Sequence, residues 1–272
     1  MQKRPLILIT NDDGIESPGL HAAAEAVSPL GDVLIVAPHR QQSAAGRSYR
    51  KVTDRTVYRH PFKINGRTVT AFSIDGTPAQ VTVKGVLDLA DRPVSLAISG
   101  INFGENVGSG IGSSGTVGAA LEAATLGIPA LAVSLQTPRE YYFSHSADID
   151  FSAAAYFTRY FAERILGGIS FPFDVDVLKI DVPTGATPET PWRVTTVSRQ
   201  PYHHGVPSNP ENRGKMVDPG YDTRVDLDTL EPESDIYALI VDKVVSVAPI
   251  SLNMTSRVDL QMLQSKLNGD KK

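Results

Sequence analysis

Leu6-Ile7-Leu8-Ile9 is an unbroken apolar run that ends on Thr10-Asn11-Asp12-Asp13-Gly14. Apolar residues without alternation read as a strand buried on both faces, as in a parallel sheet. Ser17-Pro18 then supplies an N-cap and a proline for the first helical position. The opening unit is therefore strand, acidic loop, helix. The pattern repeats. A small-residue helix over 18–28 is closed by Pro29 and Gly31, and Val33–Ala37 is a second buried strand before a polar loop from Pro38 to Ser48. Segments 53–59 and 67–74 flank Asn65-Gly66, the strongest short hairpin signal, and predict a protruding β-hairpin.

Thr77-Pro78 opens a helix expected to reach about residue 90, and Val94–Ile98 is a third core strand running into a glycine-rich loop from Gly100 to Gly112. Val117, Ala120, Leu121 and Ala124 share one helical face, with Gly127 and Pro129 as the stop. Ala130–Leu135 and Val177–Val182 predict strands, and 148–167 a helix with Phe151, Ala154, Phe157, Phe161 and Ile165 on its apolar side. Residues 183–233 are rich in Pro, Gly, Asn and Asp and predict a loop-rich extension with short strands. Ile236–Ile250 reads as strand, and a last helix over about 256–267 aligns Leu260, Leu263 and Leu267. Strands alternating with helices predict an α/β fold with a doubly wound, mostly parallel sheet.

Composition narrows the function classes. The 272 residues can bury a sizeable core. A net charge of -4 with mixed signs gives no basic patch for duplex nucleic acid. Without cysteine there is no disulfide, thiolate metal site or cysteine nucleophile, which suits the cytoplasm. Lys3-Arg4 precedes an apolar run too short for a signal peptide, and no segment approaches the ~18 apolar residues of a membrane span. The expectation is a soluble, cytoplasmic protein.

Ligands in open α/β sheets bind at the carboxyl ends of the strands, where Asn11, Asp12 and Asp13 fall. Two adjacent carboxylates repel unless a cation holds them. Ser43, within Gln41-Gln42-Ser43-Ala44-Ala45-Gly46, ends up after the second strand, and Asn102, within Ser99-Gly100-Ile101-Asn102-Phe103-Gly104-Glu105-Asn106-Val107-Gly108, after the third. Together Asp12, Asp13, Ser43 and Asn102 offer only oxygen, which favours Mg²⁺ or Mn²⁺ over zinc or copper. Such a set leaves positions for water and a substrate oxygen, as metal-assisted phosphoryl chemistry needs. Ser113-Ser114-Gly115-Thr116 opens a helix, a start that can cap itself or take an anion.

Competing motifs fall away. Gly110-Ile111-Gly112-Ser113-Ser114-Gly115 has the dinucleotide-fingerprint spacing, but it begins well past its strand and no acidic residue ends the next one. No G-x-x-x-x-G-K-[ST] is present, and the aspartates are adjacent instead of two apart as in aspartyl-phosphate phosphatases. His203-His204 lies in the loop-rich region, and Ser144-His145 lacks the glycines of a nucleophile elbow.

Ile9–Gly14, Val36-Ala37-Pro38 through Ser43, Gly76-Thr77-Pro78, Ser99–Asn102 with Gly104 and Asn106, Ser114–Ala120 and Leu126–Ala130 together resemble the survival protein E (SurE) family. Ser234-Asp235 and Ser246–Ile250 extend the resemblance. It implies a Rossmann-like three-layer fold with a β-hairpin extension and a C-terminal strand-helix segment. The chain would be one domain over 1–272, with a core to 182 and an extension from 183. It also implies a nucleotidase that hydrolyses nucleoside monophosphates and, in some members, short polyphosphate, using one divalent metal ion per subunit.

By position, Asp12, Asp13, Ser43 and Asn102 would hold the metal. Asn11, Asp12 and Asp13 would form the catalytic group, and Asn106, Ser114, Gly115 and Thr116 the phosphate contacts. Subunits would exchange C-terminal segments in a homodimer or tetramer, with no membrane or duplex partner. The chain departs from the family's pattern at 109–113, at Ala248 and at Asn253-Met254-Thr255, which bears on substrate preference and subunit geometry. The remaining alternatives are a non-catalytic nucleotide or polyphosphate sensor with the same pocket, and a dinucleotide-dependent oxidoreductase.

Overall fold

The structure, a computed structural model, describes residues 4–207, 209–212 and 220–269; positions 1–3, 208, 213–219 and 270–272, and with them Lys3 and part of the loop-rich stretch, lie outside the described residues. The strands are β1 (Leu6–Thr10), β2 (Asp32–Pro38), β3 (Val57–Ile64), β4 (Arg67–Ile74), β5 (Val94–Phe103), β6 (Ala130–Leu135), β7 (Val177–Val182), β8 (Trp192–Val194), β9 (His203–Val206), β10 (Gly220–Thr223) and β11 (Val245–Ile250). The helices are α1 (Pro18–Val27), α2 (Pro78–Lys84), α3 (Gly115–Thr125), α4 (Ser152–Leu166), α5 (Asp235–Ile240) and α6 (Leu260–Leu267).

One sheet runs in the order β3-β4-β2-β1-β5-β6-β7-β11-β8, with β9 and β10 forming a separate hairpin. The pairs from β4 through β7 are parallel, and only β3 and β11 reverse direction against a neighbour. The apolar runs work as expected because successive side chains leave opposite faces. Ile7 and Ile9 pack with α1 and α4, while Leu6 and Leu8 pack with the α2 and α3 side. The result is three layers. Strand order places the carboxyl ends of β1 and β5 side by side, with β2 and β6 flanking them.

Several boundaries differ from the sequence reading. The hairpin starts at Val57, not 53, although Asn65-Gly66 does make its turn. Regular helix after Thr77 stops at Lys84 and becomes a π-helical turn over Gly85–Leu89. β5 continues through Gly100 to Phe103 because Asn102 and Phe103 pair with Ser134 and Leu135 after a register shift. The partner strand overrides the glycine. α4 begins at Ser152, where the Asp150 carboxylate accepts the Ser152 N–H. Ser17 takes the N-cap position of α1, but its hydroxyl makes no capping bond.

The largest correction concerns Ile236–Ile250. It is not one strand: Ser234 caps helix α5 by accepting the Tyr237 N–H, and only Val245–Ile250 is strand. Ile236, Leu239 and Ile240 fit helical spacing, which the continuous apolar run obscured. β11 also sits inside the sheet between β7 and β8, so the stretch after residue 182 completes the core sheet. The last helix begins at Leu260 and stays solvent-facing, with Leu260, Leu263 and Leu267 all exposed. Among the described residues no helix is long and apolar enough to cross a membrane.

Candidate active site

Asp12 and Asp13 lie at the carboxyl end of β1, and both are buried. Asn11 is wholly buried beneath them. Its amide donates to the Gly14 carbonyl at 3.0 Å and its Oδ1 accepts the Gly14 N–H at 3.1 Å. Both ends of the side chain bond the turn, so Asn11 shapes the loop that carries the carboxylates. The turn in turn aims the carboxylates toward the neighbouring loops.

Asp12 meets the start of α3. The Thr116 hydroxyl donates to Asp12 Oδ1 at 2.5 Å. A Cβ on Gly115 would stand 2.6 Å from the Asp12 Cβ, so only glycine lets this helix approach so closely. Burial pushes the Asp12 carboxyl above its ordinary value, and the Thr116 hydroxyl with the Thr116 and Gly115 backbone N–H groups works against that. Gly115 and Thr116, expected to face phosphate, are thus also the groups that hold Asp12. The positive end of the helix is directed at a resident carboxylate.

Asp13 lies deeper. Its Oδ1 accepts from Gln41 Nε2 at 3.0 Å and its Oδ2 from the Phe103 N–H at 3.2 Å. Burial, then repulsion from Asp12, pushes its carboxyl well above the ordinary value. Gln41 Nε2 also reaches Ser43 Oγ at 3.0 Å and the Tyr142 carbonyl at 2.8 Å, drawing the Ser43 loop over the carboxylates. Asn102 donates from Nδ2 to the carbonyls of Gly104 at 2.8 Å and Phe103 at 3.2 Å. That commits its nitrogen and leaves Oδ1 as the atom free to meet a cation.

A cleft of about 280 Å³ opens above these groups. Asp12, Ser43, Asn102, Asn106 and Ser114 line it, whereas Asp13 and Thr116 are buried and not part of its lining. Ser114 Oγ accepts the Val117 N–H at 3.1 Å as the α3 cap, which keeps its own hydroxyl proton free to donate. Larger grooves elsewhere lie away from the carboxyl ends of β1 and β5: one beside Arg4 and Asn65, another beside Gly127 and Phe171.

The far wall was not legible in the sequence. Tyr142, Phe143, His203 and Tyr221 line it together with Glu105. The His203 and Tyr221 rings sit 5.0 Å apart, and the Arg139 guanidinium lies 4.2 Å over the Tyr221 ring. Glu105 accepts from the Tyr202 hydroxyl at 2.6 Å, and burial pushes its carboxyl upward. These residues come from segments scattered over more than a hundred positions, and no local spacing announces them.

The donor set suits a hard divalent cation. Two buried, mutually repelling carboxylates with neutral hydroxyl and amide oxygens around them lack only positive charge. Among the described residues no three His, Cys, Asp or Glu side chains gather into a group that could hold a metal, so Asp12 and Asp13 would need the neutral oxygens of Ser43 and Asn102 to complete a site.

Comparison with known proteins agrees with the sequence resemblance. A family model described as survival protein SurE matches residues 7–204. A protein of Thermococcus gammatolerans named 5′-nucleotidase SurE is 39% identical over 97% of this chain and 96% of its own. Its namesake in Thermococcus kodakarensis is 38% identical over 96% and 98%. The crystal structure of the SurE protein from Aquifex aeolicus superposes with a TM-score of 0.73 at 28% identity, covering 97% of this chain and all of that one. The chain belongs to the SurE family.

Proposed function

We propose that this protein is a 5′-nucleotidase that hydrolyses nucleoside monophosphates to nucleoside and phosphate, with one divalent ion, Mg²⁺ or Mn²⁺, held by Asp12, Asp13, Ser43 and Asn102. Full-length similarity to proteins named 5′-nucleotidase SurE supports the activity. The observation that carries the site is the pair of buried carboxylates under a cleft whose other wall is aromatic. A cation there would polarise the phosphate and lower the pKa of a water. Asp12 is the carboxylate that reaches the cleft, so it is the better acceptor for the water's proton; Asp13, with both oxygens engaged, is the better fixed counter-charge. The Ser114 hydroxyl and Asn106 would contact the phosphate, and the rings of Phe143, His203 and Tyr221 offer faces for a base.

Phosphate release from a panel of 5′- and 3′-nucleoside monophosphates and tripolyphosphate, with Mg²⁺, Mn²⁺ or chelator, tests the reading. Metal-dependent release from 5′-monophosphates is expected. Nucleotide binding without release from any substrate or from a chromogenic ester would make the protein a sensor instead.

The assembly is a homo-oligomer acting in the cytoplasm, built through the segment after β11. The exposed Met254, Val258, Leu260, Leu263 and Leu267 are an apolar stretch with no core of their own. Since β11 belongs to the sheet, a chain ending at Ile250 should stay folded yet scatter light as a smaller species. An unchanged subunit number would refute the exchange.

A further inference from the structure

Beyond the carboxylates of the site, the molecule holds a second buried charged cluster that the nucleotidase reading does not use. Lys179, in the middle of β7, is fully buried, and its Nζ bonds Asp181 Oδ2 and lies 3.1 Å from Asp235 Oδ2. Burial alone would lower the ammonium, but the two carboxylates overcome this and hold it above the ordinary lysine value. One lysine cannot fully offset two buried anions, and burial still pushes the Asp181 carboxyl up to about 6. Such a cluster is costly to build and needs further hydrogen bonds to persist.

Two of those bonds go to the loop behind the cleft. Asp181 Oδ1 accepts the Asn106 N–H at 2.8 Å, and Asp235 Oδ2 accepts the Gly108 N–H at 3.1 Å. Asp235 Oδ1 accepts the Ser198 N–H at 2.9 Å, tying the extension to the same point. Asn106 is gripped a second time, its Nδ2 donating to the buried Ser134 Oγ at 2.9 Å. Gly108 has φ +65°, and a Cβ there would come within 2.6 Å of the Gln200 carbonyl, so the loop has no room to drift outward.

We infer that Lys179, Asp181 and Asp235 are positioning residues: the ammonium fixes two carboxylates, and through Asp181 Oδ1 and Asp235 Oδ2 these fix the backbone of Asn106 and Gly108, and thereby the phosphate-facing edge of the cleft. The inference rests on the nucleotidase reading only for what Asn106 meets. The cluster touches neither substrate nor any proposed metal ligand. Its loss should therefore weaken phosphate binding and leave metal binding alone.

The discriminating pair is Asp181→Asn, which keeps one oxygen for two donors, the Asn106 N–H and the Lys179 ammonium, and Asp181→Ala, which keeps none. In the full chain loaded with Mn²⁺, Asp181→Ala should raise KM for a nucleoside monophosphate and the calorimetric Kd for inorganic phosphate by about tenfold. Its kcat should change less and its Mn²⁺ affinity hardly at all. Asp181→Asn, with one acceptor left, should fall between the parent and Asp181→Ala. Ser134→Ala, which frees the Asn106 amide, should move phosphate affinity in the same direction and serves if Asp181→Ala does not fold. Parental phosphate affinity in a folded Asp181→Ala, or in Ser134→Ala should the former not fold, would overturn the inference; so would equal losses in Asp181→Asn and Asp181→Ala. A parent chain that binds phosphate but releases none from any nucleotide would refute the nucleotidase reading and leave the positioning test intact.

Discussion

Asp181 and Asp235 share the buried ammonium of Lys179, whereas Asp12 and Asp13, buried to a similar degree, share no lysine, arginine or histidine ion pair among the described residues. The first pair spends its oxygens on backbone N–H groups of two loops. The second spends some on Thr116, Gln41 and Phe103 and keeps Asp12 at the cleft. A carboxylate pair with an internal cation is a fastener. A pair without one is a socket, held in place by neutral donors and left short of positive charge.

The sharpest way to break this contrast is to neutralise one member of each cluster. Asp13→Asn should lower turnover at least ~100-fold, since even supporting groups around metals cost 10–100-fold when lost. Without metal it should also raise Tm by roughly 2–4 °C, because it removes a repelling buried charge. Lys179→Met should do the reverse and cost about 3–5 kcal/mol in denaturant unfolding, by leaving two carboxylates unpaired. If both variants moved stability in the same direction, the distinction between socket and fastener would fail.

A smaller effect separates the support of the metal from the contact with phosphate. Thr116→Val removes the hydroxyl that holds Asp12. Activity should fall ~10–100-fold at limiting Mn²⁺ and recover substantially at excess. Loss that no metal concentration restores would return Thr116 to the phosphate contacts.

The last effect is in pH. Asp181 has a folded-state value near 6 against 3.8 ordinarily, so the folded chain binds more protons between those values than the unfolded one. Stability of the metal-free chain should therefore fall as pH rises from about 4 to 6, with the cost fully present above 6. Burial of Asp12 and Asp13 adds to the same slope, and Mn²⁺ should oppose their part. In Asp181→Asn the slope should flatten. An unchanged slope would mean that Asp181 does not titrate in this window.

Much of this was legible in the chain. Leu6–Ile9 and Val33–Ala37 announced buried parallel strands because double burial demands unbroken apolar runs, and Asn65-Gly66 announced the hairpin because its turn needs positive φ. Asp12-Asp13 stood out because adjacent carboxylates after a buried strand have no cheap structural explanation. Lys179 and Asp181, two apart on a strand otherwise apolar, carried a signal as well: period two puts both on one buried face, where an unpaired charge is untenable. Their spacing did not name Asp235 as the third member, since that partner comes from a helix more than fifty residues on.

What the sequence determined by itself was local: strand and helix periods, the hairpin turn, the oxygen-only donor set and the family's motifs. Only the tertiary structure decided that Ile236–Ile250 splits into α5 and an inner strand, and that Gly115 and Thr116 pack against Asp12. It alone gathered Phe143, His203 and Tyr221 into the aromatic wall. The physical reason is common to all three. Each outcome depends on which distant surface a segment meets, and hydrogen bonds and ring faces are assigned by packing, whereas periodicity records only how a segment divides between core and water.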